Sequence, residues 1–199
     1  MRRWTAVLTA LALAFTLTGC SLLPQQTDAA DEAILRVVTM SRSGEELTIT
    51  AMTAGIQTGD SSEPPETVTG VGKDYAEARQ DMMDQRQASL VHSTDWVVEQ
   101  NALYDLLNAF LEDPELTYAA KLYLLKDQSA EDFLAAFEEE ETGPARSLAD
   151  LDRAMKESGV TVLECSARLA EGKECKIPAL RAEDGRLEVV EEVTVQGWK

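Results

Sequence analysis

The chain has 199 residues, with 36 acidic side chains against 18 basic ones and a formal charge of -18. Affinity for phosphate needs Lys and Arg to displace counterions, so this balance excludes a general nucleic-acid binder, and it excludes attachment by charge to an anionic membrane. A single histidine rules out multi-histidine metal sites, while 44% hydrophobic residues suffice for the core of one domain.

Met1-Arg2-Arg3 is a basic start, followed by an uncharged run from Thr5 to Thr18 that carries Val7, Leu8, Leu11, Leu13, Phe15 and Leu17. The run is shorter than the roughly 20 apolar residues that span a bilayer and suits the hydrophobic segment of a signal peptide. It ends in Leu17-Thr18-Gly19-Cys20, which resembles a bacterial lipobox: an aliphatic residue, two small ones, then the cysteine whose thiolate accepts diacylglycerol. Residues 1–19 are therefore expected to be a lipoprotein signal peptide, with Cys20 the lipidated first residue of the mature chain. Residues 20–31, with Pro24, Gln25 and Gln26, read as a polar tether. Loss of Arg2 and Arg3 makes the remainder more negative still. Two acyl chains anchor stably where one is marginal, so the expected place is the outer face of a bacterial cytoplasmic membrane.

Residues 32–199 read as one α+β domain with a mixed, mostly antiparallel sheet flanked by helices. Ala33 to Met40 and Leu47 to Met52 are strands of a hairpin about Ser41-Arg42-Ser43-Gly44. Gly55 to Pro65 reads as a surface loop and Thr67 to Val71 as a third strand. Asp74 can cap a helix from Tyr75 to Arg86 with Tyr75, Ala78, Met82 and Met83 inward. Ala88 to His92 and Trp96 to Val98 are short strand pieces. Asn101 is the expected cap of a helix whose Leu103, Leu106, Leu107, Phe110 and Leu111 form one apolar face, stopped by Asp113-Pro114. Leu116 to Lys126 is apolar enough for a central strand. Ser129-Ala130-Glu131-Asp132 is like a capping box with Asp in place of Glu, and its helix runs out in Glu138 to Glu141. Pro144 precedes a helix over 147–156, and Thr161 caps another that ends at Gly172. Two strands around Glu183-Asp184-Gly185 finish the domain.

Chemistry is sparse in this pattern. No nucleophile elbow and no His-Glu-x-x-His motif is present. Thr69-Gly70-Val71-Gly72-Lys73 lacks the spacing of a nucleotide loop and reads as a strand turning into a helix. His92 lies among Ser89, Ser93, Thr94 and Asp95, but triad members normally converge from different elements, so a structural histidine is expected. Four consecutive acids at Glu138–Glu141 splay around a helix end and read as a solvated terminus, and Trp96 and Trp198 read as packing residues. No catalytic residue, cofactor or metal ion is expected. Cys165 and Cys175 are either bridged or two separate thiols, one of them buried. A bridge would close an 11-residue loop, worth about 2.5–3 kcal/mol from chain entropy.

The stretch Leu103-Tyr104-Asp105-Leu106-Leu107-Asn108-Ala109-Phe110-Leu111-Glu112-Asp113-Pro114-Glu115-Leu116, then Lys121-Leu122-Tyr123-Leu124-Leu125 and Ser129-Ala130-Glu131-Asp132-Phe133-Leu134, resembles a known family. It is similar to the N-terminal domain of the spore-germination nutrient-receptor lipoproteins, the C subunit or Ger(x)C family. Val68-Thr69-Gly70-Val71-Gly72-Lys73-Asp74-Tyr75 is similar to that family's Gly-x-Gly turn, and Val162 to Leu169, Gly172 and Pro178 fit its short helix and following proline. The resemblance spans residues 31 to 197, without the family's two later domains. Thr39-Met40-Ser41-Arg42 stands where the family usually has a Gly-x-Asp turn. The resemblance implies a non-enzymatic subunit on the outer face of a spore inner membrane, beside integral-membrane receptor subunits, that supports assembly or signalling in response to small nutrients. It carries over no ligand residues, and the small-molecule ligand is unknown. Without the resemblance, the residues read as a generic lipid-anchored binding or sensing domain of a bacterial envelope.

Overall fold

The computed structural model describes residues 33–53, 57–58, 61–62, 66–85, 88–89, 93–112, 116, 119–137, 144–154 and 159–197. Ala33–Ser43 (β1) and Glu46–Thr53 (β2) form the expected hairpin, in which Leu47, Ile49 and Ala51 are buried and Thr48 and Thr50 half-buried. It turns at Gly44, whose φ of 61° at the first of two turn positions matches a type II′ turn. Gln57–Thr58 (β3) and Ser61–Ser62 (β4) pair as a separate small ribbon inside the segment expected to be loop. Thr67–Gly72 (β5) adds antiparallel to β2 and leads into Tyr75–Gln85 (α1). Asp74 caps that helix, its Oδ1 accepting the Glu77 N–H at 3.0 Å, while the Glu77 carboxylate accepts the Lys73 N–H at 3.1 Å.

Ala88–Ser89 (β6) and Asp95–Glu99 (β7) both lie parallel to β1. Leu103–Glu112 (α2) crosses to Lys121–Leu125 (β8), parallel to β7. Ala130–Ala135 (α3), Pro144–Ala154 (α4) and Val162–Ala170 (α5) precede the closing hairpin of Cys175–Glu183 (β9) and Arg186–Val195 (β10). The hairpin turns at Asp184 and Gly185, with φ of 48° and 70°, the two positive values of a type I′ turn. β9 lies parallel to β8.

The main sheet runs β10-β9-β8-β7-β1-β2-β5, with β6 beside β1. The domain is α+β with a mixed sheet, as expected. Its antiparallel ladders are the long ones at the two flanks, and its parallel pairings hold the centre. The centre can be parallel because β7 and β8 are buried along almost their whole length and are covered on both faces. On one face Val38, Met40, Ile49, Trp96, Val98, Leu122 and Ile177 meet α1, α2 and α5. On the other, Val37, Val97, Tyr123, Leu125 and Leu180 meet Phe133, Phe137 and Leu148. The Phe133 and Phe137 rings tilt against each other with centroids 5.6 Å apart.

Several local expectations change. Asn101 does not cap α2; its side-chain amide donates to the Arg42 carbonyl at 2.7 Å, and the chain enters the helix through a 3-10 turn over Gln100–Ala102. Leu111 leaves the apolar face, being 61% exposed, because the helix buries Leu103, Leu106, Leu107, Ala109 and Phe110. The expected strand from Leu116 begins only at Lys121. Ser129 accepts the Asp132 N–H at 3.0 Å, but the Asp132 carboxylate, one methylene shorter than Glu, takes the Ser129 hydroxyl rather than a backbone N–H. Half of the capping box forms. α4 starts at Pro144 itself, where the missing N–H costs nothing. The Thr161 cap forms as expected, accepting the Glu164 N–H at 3.1 Å.

Candidate functional site

Gly70 and Gly72 have a packing reason. An added Cβ on Gly70 would lie 2.0 Å from the Ala78 carbonyl oxygen, and one on Gly72 would lie 2.3 Å from the Ala78 nitrogen. The glycines let α1 sit directly on β5. Asp81 and Glu77 of that helix also accept the N–H groups of Val71 on β5 and of Lys73 just beyond it.

A cleft of about 650 Å³ opens between α1 and α2, lined by Asp74, Tyr75, Arg79, Asp105, Asn108 and Glu112 among others. One of its lining residues, Asp105, is held by Arg42, at the end of β1. The guanidinium donates from Nε to Asp105 Oδ2 at 2.7 Å and from Nη2 to Asp105 Oδ1 at 2.8 Å. It also reaches the Lys73 and Glu45 carbonyls. The hydrogen bond to Asp105 holds the guanidinium's pKa above its ordinary value, so Arg42 stays charged wherever the protein is folded. One arginine thus joins the β1–β2 turn, the start of α1 and the first turn of α2. Sequence reasoning placed Arg42 only in a turn. The available signal was a lone cation between two serines in an acidic chain. Asp74 and Asp105 are committed to the cap and the clamp, so what they do best is hold the cleft walls together. Arg42→Ala is expected to cost about 1–2 kcal/mol, because the pair is partly screened by solvent. Urea denaturation of Arg42→Ala, Asp105→Ala and the double variant would read the coupling directly.

A second hollow, of about 490 Å³, lies at the β9–β10 turn against Arg181, Glu183, Arg186, Leu187 and Glu188. Arg181 sits within 3.9 Å of Asp127 and 3.8 Å of Glu188, an exposed ion-pair network.

The cysteines come together. Cys165 on α5 and Cys175 at the start of β9 are unbridged thiols, both fully buried in the same core cluster. Of the two alternatives expected from the sequence, separate thiols describes this state, with both rather than one of them buried. Interaction with Cys175, then burial, pushes the Cys165 thiol well above its ordinary pKa. The neighbouring Cys165 lowers the pKa of Cys175.

Trp96 is core, 1% exposed. Near the expected histidine cluster, Ser93 is buried, and the Thr94 hydroxyl lies 2.6 Å from Asp95 Oδ2 and 3.0 Å from the Arg36 carbonyl. These groups tie β7 to β1. Cys20, His92, Asp113, Glu115, Glu138 to Glu141 and Trp198 lie outside the described residues. Among the described residues, no three His, Cys, Asp or Glu side chains gather to hold a metal ion, and no helix is long and apolar enough to cross a membrane. Comparison with known proteins finds no matching family, no matching curated protein and no matching solved structure.

Proposed function

We propose that this chain is a lipid-anchored, non-catalytic subunit that supports assembly or signalling of a nutrient germinant receptor, working through contact with integral-membrane partners. The observation that carries the proposal is Leu17-Thr18-Gly19-Cys20 at the end of a short apolar run, ahead of an acidic chain that charge would keep off a membrane. The strings that resemble the receptor lipoproteins add support; they fall on β5 into α1, on α2, and on β8 into α3, with β6 and β7 between α1 and α2. Tyr104 and Leu111 of α2, seven positions apart on one helix face, are 45% and 61% exposed, which leaves apolar surface for a partner to cover.

The anchor is tested by detergent phase partitioning of the full chain produced in a bacterium. Wild type is expected in the detergent phase with acyl mass on Cys20. A chain that begins at Ser21 is expected in the aqueous phase, a shift of at least about 100-fold from the loss of the acyl chains. An unmodified Cys20 in a chain that washes off membranes would reject the anchor. Cross-linking in membranes then tests the partner: multi-span receptor subunits are expected, and capture of an unrelated envelope protein would leave only the generic sensing role.

A further inference from the structure

Cys165 and Cys175 belong to elements that the chain folds tightly against each other. Cys165 lies on the inward face of α5 with Val162 and Leu169, and Cys175 pairs with Val195 of β10. The connection between them is fixed at several points. Gly172 takes a φ of 72°. The N–H groups of Glu171, Gly172 and Lys173 donate to the carbonyls of Ala167, Leu169 and Arg168, which closes the helix end. Arg168 Nε donates to the Glu174 carbonyl at 3.1 Å, across the same turn. The chain just past β10 approaches this turn so closely that a Cβ on Gly197 would come within 2.6 Å of Gly172 Cα. Two fully buried thiols of one core cluster, on elements joined by such a closed turn, are placed to be bridged.

We propose that Cys165 and Cys175 are an intramolecular disulfide site, a covalent latch between α5 and β9 that closes by exchange with an external small-molecule disulfide. The Cys175 thiolate attacks the external disulfide, and one thiol leaves with the proton that Cys175 gave up. The Cys165 sulfur, on losing its proton to solvent, then attacks Cys175 and expels the second thiol. Two protein thiols are oxidised to one disulfide, and one external disulfide is reduced to two thiols. Because both sulfurs are fully buried, exchange proceeds during folding or through a local opening of the chain around them. The latch stands independently of the lipid anchor, and it suits a chain exported to a compartment where disulfides persist.

The test uses the full chain with Cys20→Ala, which leaves these two cysteines as the only thiols. The protein is unfolded in urea and refolded in a mixture of reduced and oxidised glutathione. It is then denatured, alkylated and digested with trypsin for mass spectrometry. The expected product carries no alkyl label, has lost two hydrogens, and yields the peptide of Cys165 joined to that of Cys175. Its thermal midpoint lies about 5–10 °C above that of the reduced protein. Two alkylated cysteines after equilibration, or glutathione held on a single cysteine with no joined peptide, would overturn the proposal. Because the readout is taken on chain with both cysteines present, it does not depend on a substituted core folding.

Discussion

Gly70→Ala is expected to lower the stability of the domain by about 3 kcal/mol or more, a large fraction of what a domain of this size has to lose. The new methyl would meet the Ala78 carbonyl oxygen at 2.0 Å, the Met82 Cβ at 2.5 Å and the Met82 nitrogen at 2.6 Å. Two of these obstacles are backbone atoms of α1, so no side-chain rotation relieves them. The helix must lift from β5, which withdraws Tyr75, Ala78 and Met82 from the core and strains the Asp81 bond to Val71. Gly44→Ala is the control: a Cβ there meets nothing within 4 Å, and only the positive φ of 61° is strained, at a cost of about 1–2 kcal/mol. Urea midpoints of the two variants separate crowding from backbone preference. Equal midpoints would show that α1 does not seat on β5 as described.

Trp96→Ala is expected to cost about 3–5 kcal/mol, the range for emptying a buried aromatic site. Trp96 stands on β7 between Val38 of β1 and Leu122 of β8, at the middle of the sheet and 1% exposed. It faces the core shared with α1, α2 and α5, and parallel strands on both sides keep the backbone from collapsing into the void. Tyr104→Ala, at a site 45% exposed, is expected to change stability by no more than about 0.5 kcal/mol. The contrast is read by thermal unfolding followed by circular dichroism. A Trp96→Ala domain as stable as Tyr104→Ala would show that the centre of the sheet is elsewhere.

The two predictions also separate what could be read early from what could not. Trp96 is apolar, and its burial was legible from its own chemistry. The reason for Gly70 was not, because Val68-Thr69-Gly70-Val71-Gly72 says only that a strand ends in a flexible turn. The atoms that forbid a side chain there belong to Ala78 and Met82, a helical turn or more further on. Arg42 is similar. Its neighbours in sequence make a turn, whereas its partners are Asp105 and the Lys73 carbonyl. Asn101 had a good cap position on paper and used its amide on the Arg42 carbonyl instead, since a nearby tertiary acceptor competes with a local one.

The sequence alone determined the elements whose signals are local. Gly44 and Asp184-Gly185 set the hairpin turns, Asp74 and Thr161 set helix starts, and Gly172 set a helix end, because each acts through its own backbone angles or through bonds to residues a few positions away. The alternation in β2 and the apolar run in β8 likewise announced one covered face and two. Only the tertiary structure decided that β7 would lie beside β1, that Gln128 would grip the backbone of Ala182, and that two thiols ten positions apart would both be buried in one core cluster. Those outcomes depend on which surfaces are left to pair once the local pieces have formed, and on contacts between residues that carry no record of one another along the chain.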